Sequence, residues 1–199
     1  MKKIIEILFR LLSKDYEMDA NTREVCRYGL DIFLYTLVST FGLLAIGAIF
    51  RRMIGSIIYI ILFYINQTFG GGYHATSHGR CFLAMALPLT LCIFLSYTRF
   101  PQWFLTLILV IAGTTLFIFP LRLHKNKKHL AIYTNFLVFR YRCILTIEVL
   151  LGFVLIHLYG STLITTMYVL SAIVSAISRV IGILQDRHAK SNGSFLGCE

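Results

Sequence analysis

Six apolar stretches, near residues 30–50, 53–69, 81–98, 103–120, 143–159 and 161–182, constrain what this 199-residue chain can become. About 20 residues of helix cross the hydrocarbon of a bilayer, so each stretch reads as a transmembrane helix. The expected architecture is an all-α polytopic membrane bundle, a single domain over 1–199 with about six transmembrane or re-entrant helices. The second and third stretches are short and flank a glycine-rich insert, so they are the candidates to dip in and return. Non-helical backbone at membrane depth is tolerated only where protein or water satisfies it. Composition agrees: 57% hydrophobic residues, 14% charged residues and a mean hydropathy of +0.75 exceed what a soluble domain needs to fill its core.

The net charge of +10 does not call for nucleic acid as a partner. Basic residues between apolar spans are what the positive-inside rule produces unaided. With an even number of crossings, sixteen lysines and arginines fall on one side and three, Arg51, Arg52 and Arg99, on the other. That imbalance predicts a cell-membrane protein with both termini, the insert and the central basic loop in the cytoplasm. Arg51 and Arg52 run against it. Residues 1–28 are expected to form an amphipathic cytoplasmic segment, because Lys2, Glu6, Arg10 and Lys14 recur opposite Ile4, Ile5, Leu8, Leu11 and Leu12. It lies either in the membrane interface or packed on the bundle. Glu6 and Arg10 interrupt any signal-peptide core and no small-residue cleavage site follows, so the segment is expected to be retained. Residues 183–199 form the expected cytoplasmic tail.

Five cysteines at scattered positions, without a C-x-x-C pair, argue against a disulfide framework or a zinc site. Cys92 and Cys143 read as small hydrophobes. No metal or cofactor is expected.

The insert, "NQTFGGGYHATSHGRC" from Asn66 to Cys81, concentrates the chemistry. Gly70, Gly71 and Gly72 end the preceding helix and permit a sharp turn. His74, Ser77, His78, Arg80 and Cys81 follow within a few residues. A surface loop is the plain reading. A neutral imidazole beside a thiol, however, generates the thiolate nucleophile of a cysteine hydrolase or acyltransferase. In a continuous helix His74 and Cys81 stand about 10.5 Å apart along the axis, too far for a hydrogen bond. A dyad therefore needs the stretch from His74 to Ser77 folded back over a helix that starts near Ser77, a good N-cap. Cys81 then falls in or just after the first turn, where the helix dipole and Arg80 favour negative charge. His78 is the rival base: three residues from Cys81, it shares a helical face with the thiol.

"GGGYHATSHGRC" resembles the glycine, histidine and cysteine motif of the accessory gene regulator B (AgrB) family, membrane cysteine peptidases that process quorum-sensing propeptides in Gram-positive bacteria. The H-x6-C spacing of His74 and Cys81 matches the family's catalytic pair, and Gly72 falls at its motif glycine. Length, an amphipathic N-terminus, several spans and a basic stretch after the fourth also match in outline. Gln67 departs, standing where relatives commonly carry arginine. The resemblance implies that His74 displaces His78 as base, and that Cys81 cleaves an autoinducing propeptide through a thioester. A side-chain thiol or hydroxyl of the peptide then closes a thiolactone or lactone. Expected partners are the propeptide and membrane lipids, with a homodimer as an assembly to consider.

The basic run "LRLHKNKKHLA", Leu121 to Ala131, contains Lys125, Lys127 and Lys128. It reads as a topology determinant among anionic headgroups, as a dock for the acidic propeptide tail that the resemblance implies, or as both. Glu148, inside an apolar span, is expected to face the bundle interior, paired with a base such as Arg142 or His157. Asn66, Gln67 and Thr68 are placed to line the same pocket or orient the imidazole. The rival classes are a small transporter or channel with its binding site at the broken helix, and a noncatalytic scaffold.

Overall fold

The computed structural model describes residues 6, 9, 19–71, 73, 77–119 and 134–191. They form six helices: α1 (Ala20–Ile49), α2 (Met53–Gly70), α3 (His78–Leu95), α4 (Gln102–Ile118), α5 (Thr134–Tyr159) and α6 (Leu163–Ser191), with no strand among them. The all-α polytopic expectation holds. All but α4 are long and apolar enough to cross a bilayer. At 17 residues α4 rises only about 25 Å, so one of the six expected spans is a shorter apolar helix. The two stretches beside the glycine insert, α2 and α3, are each continuous for 18 residues, a crossing length in place of the dip allowed from sequence.

By their own contacts, residues 1–42 and 43–199 make two compact units. In the first, helix begins at Ala20, and residues 20–28 continue directly into the first apolar span. Glu6 is helical and its carboxylate accepts from the Arg27 guanidinium at 3.1 Å, an exposed pair of small energetic weight. Most of the expected amphipathic stretch lies outside the described residues.

In the second unit α6 is the central helix. Residues 165–172 are buried without interruption, and α6 packs against α2, α3, α4 and α5. Its sequence explains why. Ser171, Ala172, Ser175 and Ala176 are small, which lets neighbouring backbones approach closely where no hydrophobic force drives helices together. The serine hydroxyls donate within their own helix, Ser171 to Tyr168 O at 2.7 Å and Ser175 to Ser171 O at 2.9 Å. Leu105, Leu109, Ala112 and Leu116 of α4 and Tyr141, Leu145 and Ile156 of α5 complete the core around Val169, Ala172 and Ala176. Tyr59 of α2 donates to Met85 O of α3, the helix that contains Pro88, at 3.1 Å.

Three connections meet at one end of this unit. Tyr97, after α3, donates to Phe50 O at 3.1 Å, and the Arg52 guanidinium lies 4.3 Å from the Tyr97 ring centroid. Gly160, between α5 and α6, sits against the Gln102 side chain at the start of α4. Arg51, Arg52 and Arg99, the three basic residues counted to the minority side, all belong to these corners, and Arg52 has a structural use there. The opposite end holds the end of α2 and the starts of α3 and α5. Arg140 of α5 lies 4.8 Å from the Phe69 ring, and Arg142 lies 5.0 Å from the Phe117 ring. One residue of the charge census is misplaced: Arg179, counted with the tail, is fully buried within α6. Removing it leaves the imbalance at fifteen to three.

Candidate functional site

Helix α2 ends where its sequence leaves no side chain to clash. Gly71 closes the last turn through its N–H to Gln67 O at 3.0 Å. Its φ of 71° and ψ of 170° lie in a region that essentially only glycine occupies. Gly70 is required for a different reason. A Cβ there would overlap the Arg179 guanidinium and come within 2.9 Å of Tyr141 Cζ. Gly72 lies outside the described residues.

Helix α3 begins as its N-cap residue predicts. Ser77 is extended, at φ −143° and ψ 150°, and its hydroxyl accepts the Arg80 N–H at 3.4 Å. Its carbonyl accepts the Cys81 N–H at 3.0 Å. Cys81 is therefore held in the opening turn as a free, half-buried thiol, with His78 and Arg80 exposed on the same turn. Of the expected site residues, His74 lies outside the described residues, as do Lys125, Lys127 and Lys128 of the basic run.

The residue just before His74 is held at both its backbone N–H and its carbonyl. Gln67, reaching forward from the last turn of α2, donates Nε2 to Tyr73 O at 2.9 Å. The Tyr73 N–H donates to Ser178 Oγ of α6 at 3.3 Å. One residue later along α6, Arg179 donates Nε to Gly71 O at 2.7 Å and Nη2 to Asn66 O at 3.4 Å.

Behind this turn lies a buried polar chain joining three helices. Arg179 is 0% exposed, Asn66 2% and Glu148 7%. Arg179 Nη2 donates to the Tyr141 hydroxyl at 3.2 Å, and Tyr141 donates to Asn66 Oδ1 at 3.1 Å. Asn66 Nδ2 then donates to the two Glu148 carboxylate oxygens at 2.9 and 3.0 Å and to Leu62 O at 3.1 Å. The Tyr168 hydroxyl secures the Glu148 backbone carbonyl at 2.7 Å. Glu148 faces the interior as intramembrane carboxylates must, but its partner is Asn66. The bases expected for it point elsewhere: His157 is exposed, and Arg142 is exposed beside Phe117. Thr68 is exposed too, so of the polar triplet 66–68 only Asn66 and Gln67 face the site.

Sequence reasoning missed Arg179, Ser178 and Tyr141. For Arg179 a signal was present: an arginine flanked by apolar residues near the end of a span is costly unless paired inside the bundle.

A model of the family described as accessory gene regulator B matches residues 2–183. Among curated proteins, "Putative AgrB-like protein 2" of Clostridium perfringens strain 13 is 24% identical over 120 residues, 60% of this chain and 56% of that protein. "Putative AgrB-like protein 1" of the same strain is 26% identical over 95 residues, 48% of this chain and 51% of its own length. The chain thus spans little more than half the length of these relatives. No solved structure matches it significantly. With nearly its whole length matched, this helical, multi-pass chain belongs to the accessory gene regulator B family.

Proposed function

We propose that the chain is a membrane-embedded cysteine endopeptidase that cleaves an autoinducing propeptide and promotes its cyclisation, with Cys81 as nucleophile and His74 as base. The observation that supports it most is the placement of Cys81: a half-buried free thiol in the opening turn of α3, a few residues past a turn fixed from α2 and α6. His74 takes the thiol proton and the sulfur attacks a backbone carbonyl of the propeptide. The C–N bond breaks as the imidazolium returns that proton to the departing amine, leaving a thioester on Cys81. A thiol or hydroxyl within the bound segment then attacks the thioester carbonyl. Its proton passes to His74, the Cys81 thiolate leaves and takes that proton back, and a thiolactone or lactone is released. Exclusion of water by the bound peptide and the membrane setting would favour the cyclic product over hydrolysis. The N-terminus of α3, where backbone N–H groups lack helical acceptors, is the oxyanion donor set nearest Cys81 in the chain. The catalytic residues and both termini are assigned to the cytoplasmic face, where the propeptide is made.

Co-expression with each short open reading frame adjoining this gene, read by mass spectrometry, tests the proposal. The wild-type chain yields a shortened, cyclised peptide and Cys81→Ser yields none, with both proteins inserted equally. Identical product from Cys81→Ser ends the cysteine-peptidase reading.

A further inference from the structure

We propose that Arg179 is a positioning residue for the active-site turn, and that the chain of Tyr141, Asn66 and Glu148 keeps its guanidinium in place. The inference rests on the reading of His74 and Cys81 as a base and nucleophile pair. Arg179 is fully buried and remote in sequence, and its Nε grips the carbonyl of Gly71, the one described residue in the break with positive φ. A buried arginine in an apolar bundle is costly and persists where it has work to do. Among the described residues Arg179 closes no ion pair: its contacts are two backbone carbonyls, the Tyr141 hydroxyl and the Tyr141 ring face at 5.0 Å.

The direction of those contacts matters. Gly71 O lies just past the C-terminus of α2, where carbonyls lack helical donors, and Asn66 O lies one turn before it. A cation at a helix C-terminus is favourable and fixes where the helix stops. Ser178, its neighbour on α6, receives the Tyr73 N–H, and Gln67 donates to Tyr73 O. The chain therefore leaves α2 with Gly71 and Tyr73 held by three side chains, and the next residue is His74. A base must stand within hydrogen-bond reach of the proton it takes, and a displacement of about 1 Å at a catalytic group lowers rates by about 100-fold. Gly70 completes the device, since only the absence of a side chain there admits the guanidinium.

The test needs no propeptide. In full-length protein in nanodiscs, with Cys26, Cys92, Cys143 and Cys198 replaced by serine, the rate of Cys81 alkylation by iodoacetamide at pH 7 is measured for wild type, His74→Ala, Arg179→Gln, Arg179→Lys and Gln67→Ala. Hydrogen exchange of peptides covering residues 66–81 is followed in parallel. Wild type should exceed His74→Ala by roughly 10- to 100-fold. Arg179→Gln should fall to the His74→Ala rate, Arg179→Lys should recover part of the loss, and Gln67→Ala should fall between them. Exchange at 66–81 should rise in Arg179→Gln while that of α4 and α5 stays at the wild-type level. If Arg179→Gln fails to insert, Gln67→Ala and Arg179→Lys decide the same question. A wild-type rate no faster than His74→Ala overturns the dyad itself. A wild-type advantage over His74→Ala that persists in the Arg179 and Gln67 variants overturns the positioning role alone.

Discussion

Arg179 Nε and Gly71 O lie 2.7 Å apart although 108 positions separate them in the chain. Through this contact the last long helix of the protein takes hold of the break that follows the second. A hydrogen bond from a charged donor contributes about 1.5–3 kcal/mol, more than a neutral one. The neighbouring Ser178 and Gln67 contacts then extend the hold to Tyr73.

The glycine at position 70 is where this arrangement is least forgiving. In Gly70→Ala the new methyl would displace a guanidinium that is fully buried and held by three hydrogen bonds, so it has nowhere to swing. The expected loss is about 1–3 kcal/mol, read as a lower thermal unfolding midpoint in detergent. Gly79→Ala, in open space on α3, should be neutral or stabilise by up to about 1 kcal/mol. Equal midpoints for the two variants would contradict the close approach.

Asn66 and Glu148 should be energetically coupled, because Asn66 is the carboxylate's only hydrogen-bond donor among the described residues. Asn66→Ala leaves the buried carboxylate without its donor, whereas removing both side chains takes away that donor and that acceptor together. A double-mutant cycle with Glu148→Ala, measured by unfolding in detergent, should give a coupling of about 0.5–2 kcal/mol. Additive effects would show that the pair does not act as a unit.

How much of this was readable in advance differs between the helices and their contacts. Apolar run length alone located every helix, since a bilayer-length stretch of apolar residues has one way to satisfy its backbone. Ser77 gave away the start of α3 because an N-cap is a local interaction, within three residues of its partner. The N-terminal limit of α1 was missed because residues 20–28 are polar, and helix continued through them regardless. The pairing of Glu148 was also missed. Its partner stands 82 positions away on another helix, and no local pattern encodes which face of α2 meets which face of α5. Arg179 was miscounted for a related reason. Near the end of a span an arginine looks the same in sequence whether it snorkels to the headgroups or turns inward.

Sidedness is open to direct labelling. With the other cysteines replaced by serine, Cys81 should react with a membrane-impermeant maleimide in inverted vesicles and resist it in intact cells. The fifteen-to-three charge imbalance motivates the expectation. Labelling in intact cells would reverse the assigned topology.

The basic run gives a salt-dependent prediction. If Lys125, Lys127 and Lys128 hold an acidic propeptide tail, replacing all three with glutamine should weaken peptide binding at low ionic strength. The difference should shrink as salt rises, because screening acts over about 8 Å at physiological ionic strength. A peptide without its acidic residues should bind wild type and triple variant alike. Equal binding of the full-length peptide at low salt would leave the run a topology signal only.

The central claim is that a covalent thioester forms on Cys81, and intact-mass measurement of the protein after acid quenching tests it most directly. The propeptide identified by co-expression is supplied in a form lacking the side-chain thiol or hydroxyl that closes the ring, so the second step is blocked. The account predicts an adduct with the mass of the N-terminal fragment, located at Cys81, released by hydroxylamine and absent from Cys81→Ser and His74→Ala. Cleavage of that peptide with no adduct on Cys81, or with the same yield from Cys81→Ser, would contradict it.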